Sequence, residues 1–154
     1  MPPLQPAPLR SLILAGLILY ASLQIILPLR HYVQAQSSGW TFRGFNWSWR
    51  VMLVEKSGYA EFRALDATTG KIWRIKATDY LTPRQAQFMA QDPAMIRTLA
   101  VHIAEDLRAR GHRDVQVFAD AYASLNGRAA QRLVDPAVDL AAALPSNWIM
   151  ALAP

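Results

Sequence analysis

The sequence contains no cysteine among its 154 residues. This excludes disulfide bonds, cysteine-ligated zinc, iron–sulfur clusters, c-type haem attachment and a thiol nucleophile. Histidine is also scarce, since His31, His102 and His112 are the only three and none has a second histidine three or four positions further on. Because a helical zinc site needs that spacing, the histidines favour packing or surface roles.

Motifs of enzymatic chemistry are missing as well. The chain has no P-loop, no GxSxG motif and no glycine pattern for a dinucleotide. Its aspartates are too dispersed for a calcium-binding loop, and Asp66, which precedes Gly70, is better explained as a turn former. The sequence therefore predicts a protein that is not an enzyme and that has no metal or cofactor.

Basic residues are in excess but are not concentrated. Sixteen Lys and Arg against eleven Asp and Glu give a net charge of +5. Acidic residues interrupt the basic ones, as in Glu55-Lys56 and around Arg63, whereas nucleic-acid binding needs basic side chains clustered on one face. We expect no nucleic-acid partner. The hydrophobic content of 53% is enough to build the core of one domain.

One long apolar run is present, from Ser11 to Leu29, and it carries no charge. A helix of that length spans about 28 Å, close to the hydrocarbon thickness of a bilayer. The run therefore predicts a transmembrane helix at 11–29 after a tail at 1–10. The alternative is a signal peptide cleaved before Gln36, although signal-peptide apolar cores usually run about 7–15 residues.

The span and the segment after it hold residues that favour contacts with lipid or with another membrane subunit. Small residues let a second helix approach closely and a glutamine can hydrogen-bond across such a contact, but small residues are also common in any span. Residues 30–44 read as a juxtamembrane linker, whose Arg, Tyr and Trp side chains either lie at the lipid headgroups or anchor a partner. The predicted membrane or partner contacts are Ala15, Gly16, Ala21, Ser22, Gln24, Arg30, Tyr32, Trp40 and Arg43.

Residues 45–154 predict a small α+β domain of antiparallel strands and two packed helices. Alternation places Trp47, Trp49, Val51 and Leu53 on the packed face of a first strand, and two further alternating segments, separated by "KSGY" and "ATTG" turns, predict an antiparallel meander. A later segment, "DVQVFADAYASL", is a further strand that ends in a tight "NGR" turn.

Two helices are predicted between these strands. Thr82 and Pro83 start the first, which ends near Gln91, and an Asp92-Pro93 pair starts the second, which ends near Gly111. The apolar face of the second helix predicts core positions at Ile96, Leu99 and Ile103.

Four segments, taken in order, carry a family resemblance. "FNWSWRVMLVEKSG", "DYLTPRQAQFMAQDPAMI", "AEDLRARGH" and "SLNGRAAQRLVDPAVDLA" resemble the C-terminal part of the vitamin K-dependent γ-carboxylases and their bacterial HTTM-domain relatives. The resemblance covers Leu27 to Trp148, and it includes a W-R-x-M-L strand at Trp49, Arg50, Met52 and Leu53. It implies that residues 30–154 are extracytoplasmic, which in a bacterium means a single-pass protein of the inner membrane with a periplasmic domain.

The resemblance also implies what this chain does not carry. The family's catalytic base lies in a multi-helix membrane half, and here a single span stands in its place. We therefore expect a non-catalytic anchored subunit or assembly factor of a larger membrane complex, with respiratory or photosynthetic electron-transfer complexes as candidate hosts. Its partners would be the bilayer and other integral membrane subunits. The alternative is one half of a split carboxylase-like enzyme that needs a multi-helix partner for activity.

Overall fold

The computed structural model of the protein describes residues 7–29, 38–42, 54–143 and 145–153. Several sequence predictions lie outside these residues. They are the strand with its core positions Trp47, Trp49, Val51 and Leu53, the contact residues Arg30, Tyr32 and Arg43, and His31.

The first helix, α1, runs from Ala7 to Leu29 and therefore begins before the predicted span. Its apolar side chains are exposed along its length, and only 6% of its most apolar stretch is buried. Among the described helices it is the one long and apolar enough to cross a membrane. A core helix of a soluble protein would be mostly buried, so its exposure favours lipid or another membrane helix as its surroundings.

A four-stranded antiparallel sheet forms the centre of the domain. Its strands are β1 (Lys56–Asp66), β2 (Ile72–Lys76), β3 (Val115–Leu125) and β4 (Gln131–Arg132), in the order β2-β1-β3-β4. The described strands are therefore not a simple meander, because β3 returns to the free side of β1 after two helices.

The predicted "KSGY" turn is wrong, since Lys56 to Tyr59 belong to β1. The glycine that suggested a turn serves close packing instead. A Cβ atom on Gly58 would lie only 2.3 Å from the carbonyl oxygen of Ala90, where the following helical region crosses β1. Only glycine leaves room for that backbone contact.

The other turn signals act as predicted. Asp66 accepts hydrogen bonds from the backbone N–H of Thr68 at 2.9 Å and Thr69 at 3.4 Å, which closes the β1–β2 turn. After β3, Asn126 (φ 50°) and Gly127 (φ 75°) both adopt positive φ, as a tight hairpin turn requires.

The two predicted helices are confirmed as α3 (Pro83–Met89) and α4 (Pro93–Ala109). Thr82 caps α3 with a capping box, and Asp92 caps α4 through its bond to the N–H of Ala94. A four-residue helix, α2 (Ser38–Thr41), and a 3₁₀ helix at Ala77–Asp79 complete the described helices.

The α3 and α4 helices pack on one face of the sheet. Ile96, Leu99 and Ile103 of α4 are buried there, in the core where their spacing placed them. The sheet offers them a shallow surface, because every second residue of β1 and β3 faces inward and five of these residues are alanine. The buried alanines are Ala60, Ala64, Ala119, Ala121 and Ala123.

The opposite face of the sheet, called the outer face below, carries the alternate residues of each strand, which point away from the helices. The strand register places aromatic and charged side chains there, all exposed or half-buried. They are Tyr59, Glu61, Arg63, Arg74, Lys76, Phe118, Asp120, Tyr122 and Arg132. The predicted α+β class is therefore confirmed, with helices on one face of an antiparallel sheet.

Candidate functional site

The predicted contact residues of α1 are exposed or half-buried on the helix. Gly16 has open space around its Cα, because a Cβ atom there would meet nothing within 4 Å. Gln24, however, is not a lone amide in an apolar span, since its Nε2 donates to the hydroxyl of Tyr20 at 2.7 Å. The span therefore satisfies part of this amide by itself, which weakens the case for Gln24 as a group that needs a partner helix.

Trp40 was predicted at the membrane or partner surface, and the structure corrects this. Its side chain is fully buried in the domain core, and its indole N–H donates to the carbonyl oxygen of Met150 at 2.8 Å. Burial of the ring and satisfaction of its one polar atom by a distant segment make Trp40 a core residue. Sequence spacing could not reveal this, because Met150 lies at the other end of the domain.

Lys56 is the one lysine among the described residues that is buried. Its ammonium donates to the carbonyl oxygen of Trp40 and lies 4.9 Å from the centre of the Trp40 ring and 4.7 Å from that of Phe42. Burial lowers the pKa of Lys56 to about 8, and the negative charge of Asp92 opposes that shift in part. Lys56, Trp40 and Phe42 together form what we call the Lys56 clasp, which joins α2 to the start of β1.

A carboxylate–imidazole pair lies at the far end of β1. The Oδ2 atom of buried Asp66 is 2.9 Å from Nδ1 of His112, whose ring meets Trp73 edge-on at a centroid distance of 4.7 Å. Burial acts to raise the pKa of Asp66, but hydrogen bonds from His112, Thr69 and Thr68 outweigh it and hold the pKa below its usual value.

This pair could orient a general base, but in the described part of the chain no hydroxyl group hydrogen-bonds its imidazole. Its geometry instead fixes the β1–β2 turn to the loop after α4. The sequence reading of Asp66 as a turn former is confirmed, whereas its bond to His112 depends on strand order that sequence spacing does not show.

A second polar cluster joins the 3₁₀ helix region to α4. The hydroxyl of Tyr80 donates to Asp106 at 2.7 Å, and Arg110 forms an ion pair with the same carboxylate at 2.6 Å. Burial, followed by the bond to Asp106, raises the pKa of Tyr80 to about 12. His102 meets the Tyr80 ring edge-on at a centroid distance of 5.6 Å. Across the described residues no group of three or more His, Asp or Glu could hold a metal ion.

The outer face carries the remaining concentration of polar chemistry. A depression of about 450 Å³ opens there between β2, β1 and β3. Arg63, Arg74 and Lys76 supply three cations to it, and Glu61 and Asp120 supply two carboxylates. No sequence pattern marks these five residues as a site, because they come together only through strand register.

Comparison with known proteins identifies the family of this chain. No solved structure matches it. The family model described as the vitamin K-dependent gamma-carboxylase, lumenal domain, matches residues 9–153, a range that includes nearly all of α1 and the whole sheet. Together with the apolar α1, this match indicates a membrane protein with an extracytoplasmic domain. The chain belongs to the family of the vitamin K-dependent gamma-carboxylase lumenal domain.

Proposed function

We propose that this chain is a non-catalytic, membrane-anchored subunit or assembly factor that docks with a larger integral membrane complex. One observation carries the proposal: α1 exposes its apolar side chains along most of its 23 residues. Lipid or a neighbouring membrane helix must cover that surface, because it is too apolar to remain in water.

The packed domain supports a binding role over a reacting one. The carboxylates of buried Asp66 and half-buried Asp106 are satisfied by His112 and by Tyr80 with Arg110, so these groups bond one another. The Lys56 ammonium is likewise engaged with a carbonyl oxygen and two rings. What remains available to a partner is the surface, chiefly α1 and the outer face.

The proposed location is the bacterial inner membrane, with α1 as a single span and the domain in the periplasm. Respiratory and photosynthetic electron-transfer complexes are proposed as hosts because they contain single-helix accessory subunits. A second candidate function has its own support. Membership in the carboxylase lumenal-domain family favours one half of a split carboxylase-like enzyme, whose activity would require a separate multi-helix partner.

Purification of the full chain in a mild detergent, followed by mass spectrometry of co-purifying proteins, tests the proposal. We expect an integral membrane protein with several spans to co-purify in a fixed ratio. A Gly16→Leu variant, which blocks close helix approach, should lose it, and Leu17→Ile serves as the matched control. Isolation of the chain with lipid alone would contradict the docking proposal. Quinone-dependent carboxylation by the isolated complex would favour the split enzyme instead.

A further inference from the structure

The outer face contains a pair of like charges that the fold itself does not explain. Arg63 of β1 and Arg74 of β2 are directly opposed in the strand register. The inward packing of Phe62 opposite Ile75 fixes that register, so both guanidinium groups emerge on the same side of the sheet. Like charges at directly opposed positions destabilise an antiparallel pair.

Neither arginine has a carboxylate partner among the residues that the structure describes. The guanidinium of Arg63 lies over the Phe118 ring at 5.5 Å, and no ion pair forms with Arg74 in this part of the chain. The acids of the same face are engaged elsewhere, because Glu61 accepts from the hydroxyl of Tyr59 and Asp120 lies 3.7 Å from Arg132. Neither carboxylate therefore forms an ion pair with Arg63 or Arg74, and the depression holds three cations against two carboxylates.

Both arginines line the outer-face depression, whose volume of about 450 Å³ lies within the size range of small-ligand sites. Lys76 adds a third cation, and Phe118 and Pro136 add apolar wall. A guanidinium group presents a planar fork of donors that matches the oxygens of phosphate or carboxylate.

We propose that this depression binds a phosphate group between Arg63 and Arg74, with Lys76 as a further cation and Phe118 against the apolar part of the ligand. A phosphate monoester carries up to two charges and several acceptor oxygens, so it can satisfy two forks at once, whereas a single carboxylate satisfies one. Glu61 and Asp120 line the same depression and repel an extended polyanion, which restricts the site to a compact anionic group.

The phosphate can come from a soluble monoester or from a lipid headgroup, and the experiment separates these sources. The full chain in a maltoside detergent is titrated with phenyl phosphate at constant ionic strength, and its thermal midpoint is followed. In parallel, it is inserted into nanodiscs that contain phosphatidic acid or phosphatidylcholine alone. We expect one of the two phosphate sources to raise the thermal midpoint in a saturable way. The control for phenyl phosphate is chloride, and the control for phosphatidic acid is phosphatidylcholine. The source that gives the rise identifies the ligand class.

Arginine variants give the decisive comparison. Arg74→Gln should abolish the phosphate-dependent rise, yet without phosphate it should leave the midpoint unchanged or higher, because it removes the opposed charge. Arg63→Lys with Arg74→Lys keeps both charges but loses the forks, and we expect affinity to fall about 10-fold or more. Arg97→Gln, at an exposed position of α4, is the control and should respond like the wild type. Equal rises in all variants, or no rise with either phosphate source, would overturn the proposal.

Discussion

At the scale of single residues, Trp40 tests whether the segment after the span belongs to the domain. Trp40→Ala should lower the free energy of unfolding by about 3–5 kcal/mol, because it empties a fully buried site. Trp40→Phe keeps most of the ring but leaves the Met150 carbonyl oxygen without its donor, and we expect a loss of about 1–3 kcal/mol. Urea unfolding of the full chain in detergent measures both losses. Ile72→Ala, at an exposed position, is the control and should have a small effect on the free energy of unfolding. An effect of Trp40→Ala as small as that of the control would contradict the burial of Trp40.

The lowered pKa of Lys56 makes the stability of the fold depend on pH. In the unfolded chain its pKa is the ordinary 10.5, and in the folded protein it is about 8. Between these values the unfolded chain binds more protons, so stability rises with pH above about 8, whereas below pH 8 the cost of burying the ammonium is present in full. Thermal midpoints between pH 7 and 9.5 measure the rise. Tyr80 does not contribute in this window, because its raised pKa lowers stability only above pH 10.0, the ordinary pKa of tyrosine.

Replacement of the lysine isolates its contribution. Lys56→Met keeps the length and apolar character of the side chain but cannot take up a proton. We expect the rise in midpoint above pH 8 to disappear in this variant, and Lys71→Met, at an exposed lysine, should retain it. A wild-type pH profile that persists in Lys56→Met would mean that another group titrates.

At the scale of secondary-structure elements, Gly58 tests the crossing of β1 by the end of α3. Gly58→Ala places a Cβ atom 2.3 Å from the Ala90 carbonyl oxygen and 2.6 Å from its carbon, and backbone atoms cannot move aside as a flexible side chain would. We expect a destabilisation of about 3 kcal/mol or more. Ser57→Ala, at the exposed neighbouring position, should change stability by less than about 0.5 kcal/mol. Equal midpoints for the two variants would show that the crossing can relax.

Within α1, Gly16 and Gln24 should differ in their effect on partner binding. The Gln24 amide already donates to Tyr20 in its own helix, so Gln24→Leu should leave the partner bound. Gly16→Leu fills the open space on the helix surface and should release the partner without reducing the amount of protein in the membrane. The ratio of partner to chain after detergent purification gives the answer. If Gln24→Leu lost the partner and Gly16→Leu did not, the Gln24 amide would be the group that contacts the partner.

How far each element could be predicted from sequence depends on how local its determinants are. The helix starts at Thr82 and Asp92 and the Asn126-Gly127 turn depend on neighbours within a few residues, and the sequence predicts all of them. Strand pairing is different, because β1 and β3 meet across two helices and no short pattern encodes that choice. The predicted antiparallel pair of β1 and β2 is confirmed, but the predicted meander is wrong on the other side of β1, where β3 lies. Gly58 of "KSGY" serves close packing and not a turn.

The candidate sites could not be predicted from the sequence for the same reason. Arg63 and Arg74 become neighbours only through the β1–β2 register, and Asp66 finds His112 only because β3 returns beside β1. Trp40 resembles a headgroup aromatic in sequence, since it follows an apolar span, and its contact with Met150 is the longest-range bond of the domain among the described residues. Residue type and position thus predicted the membrane helix, but not the interactions on either face of the sheet.

At the scale of the whole molecule, the arrangement of the domain bears on whether α1 remains attached to it. Cleavage before Gln36 would leave α2, the Lys56 clasp and the sheet in one piece, because the described contacts of the clasp begin at Trp40. The packing of the domain is therefore compatible with either a retained anchor or a removed signal peptide. Two other observations favour the anchor. The apolar stretch from Pro8 to Leu29 is longer than the usual apolar core of a signal peptide, and the family match already begins at residue 9.

We therefore predict that the protein isolated from its native host retains residues 11–29 and resists extraction from membranes at alkaline pH. An uncleaved span of this length holds the chain through burial of about twenty apolar residues in the bilayer, whereas a processed domain would be held by its surface contacts alone. Intact mass spectrometry of the membrane fraction measures the N-terminus directly, and a variant with Leu17 and Ile18 changed to Arg provides the control that should no longer insert. A mature N-terminus at Gln36 with release of the domain by alkali would exclude the anchor, and with it the docking of α1 against a partner helix. The outer face would then be the remaining candidate surface for recognition.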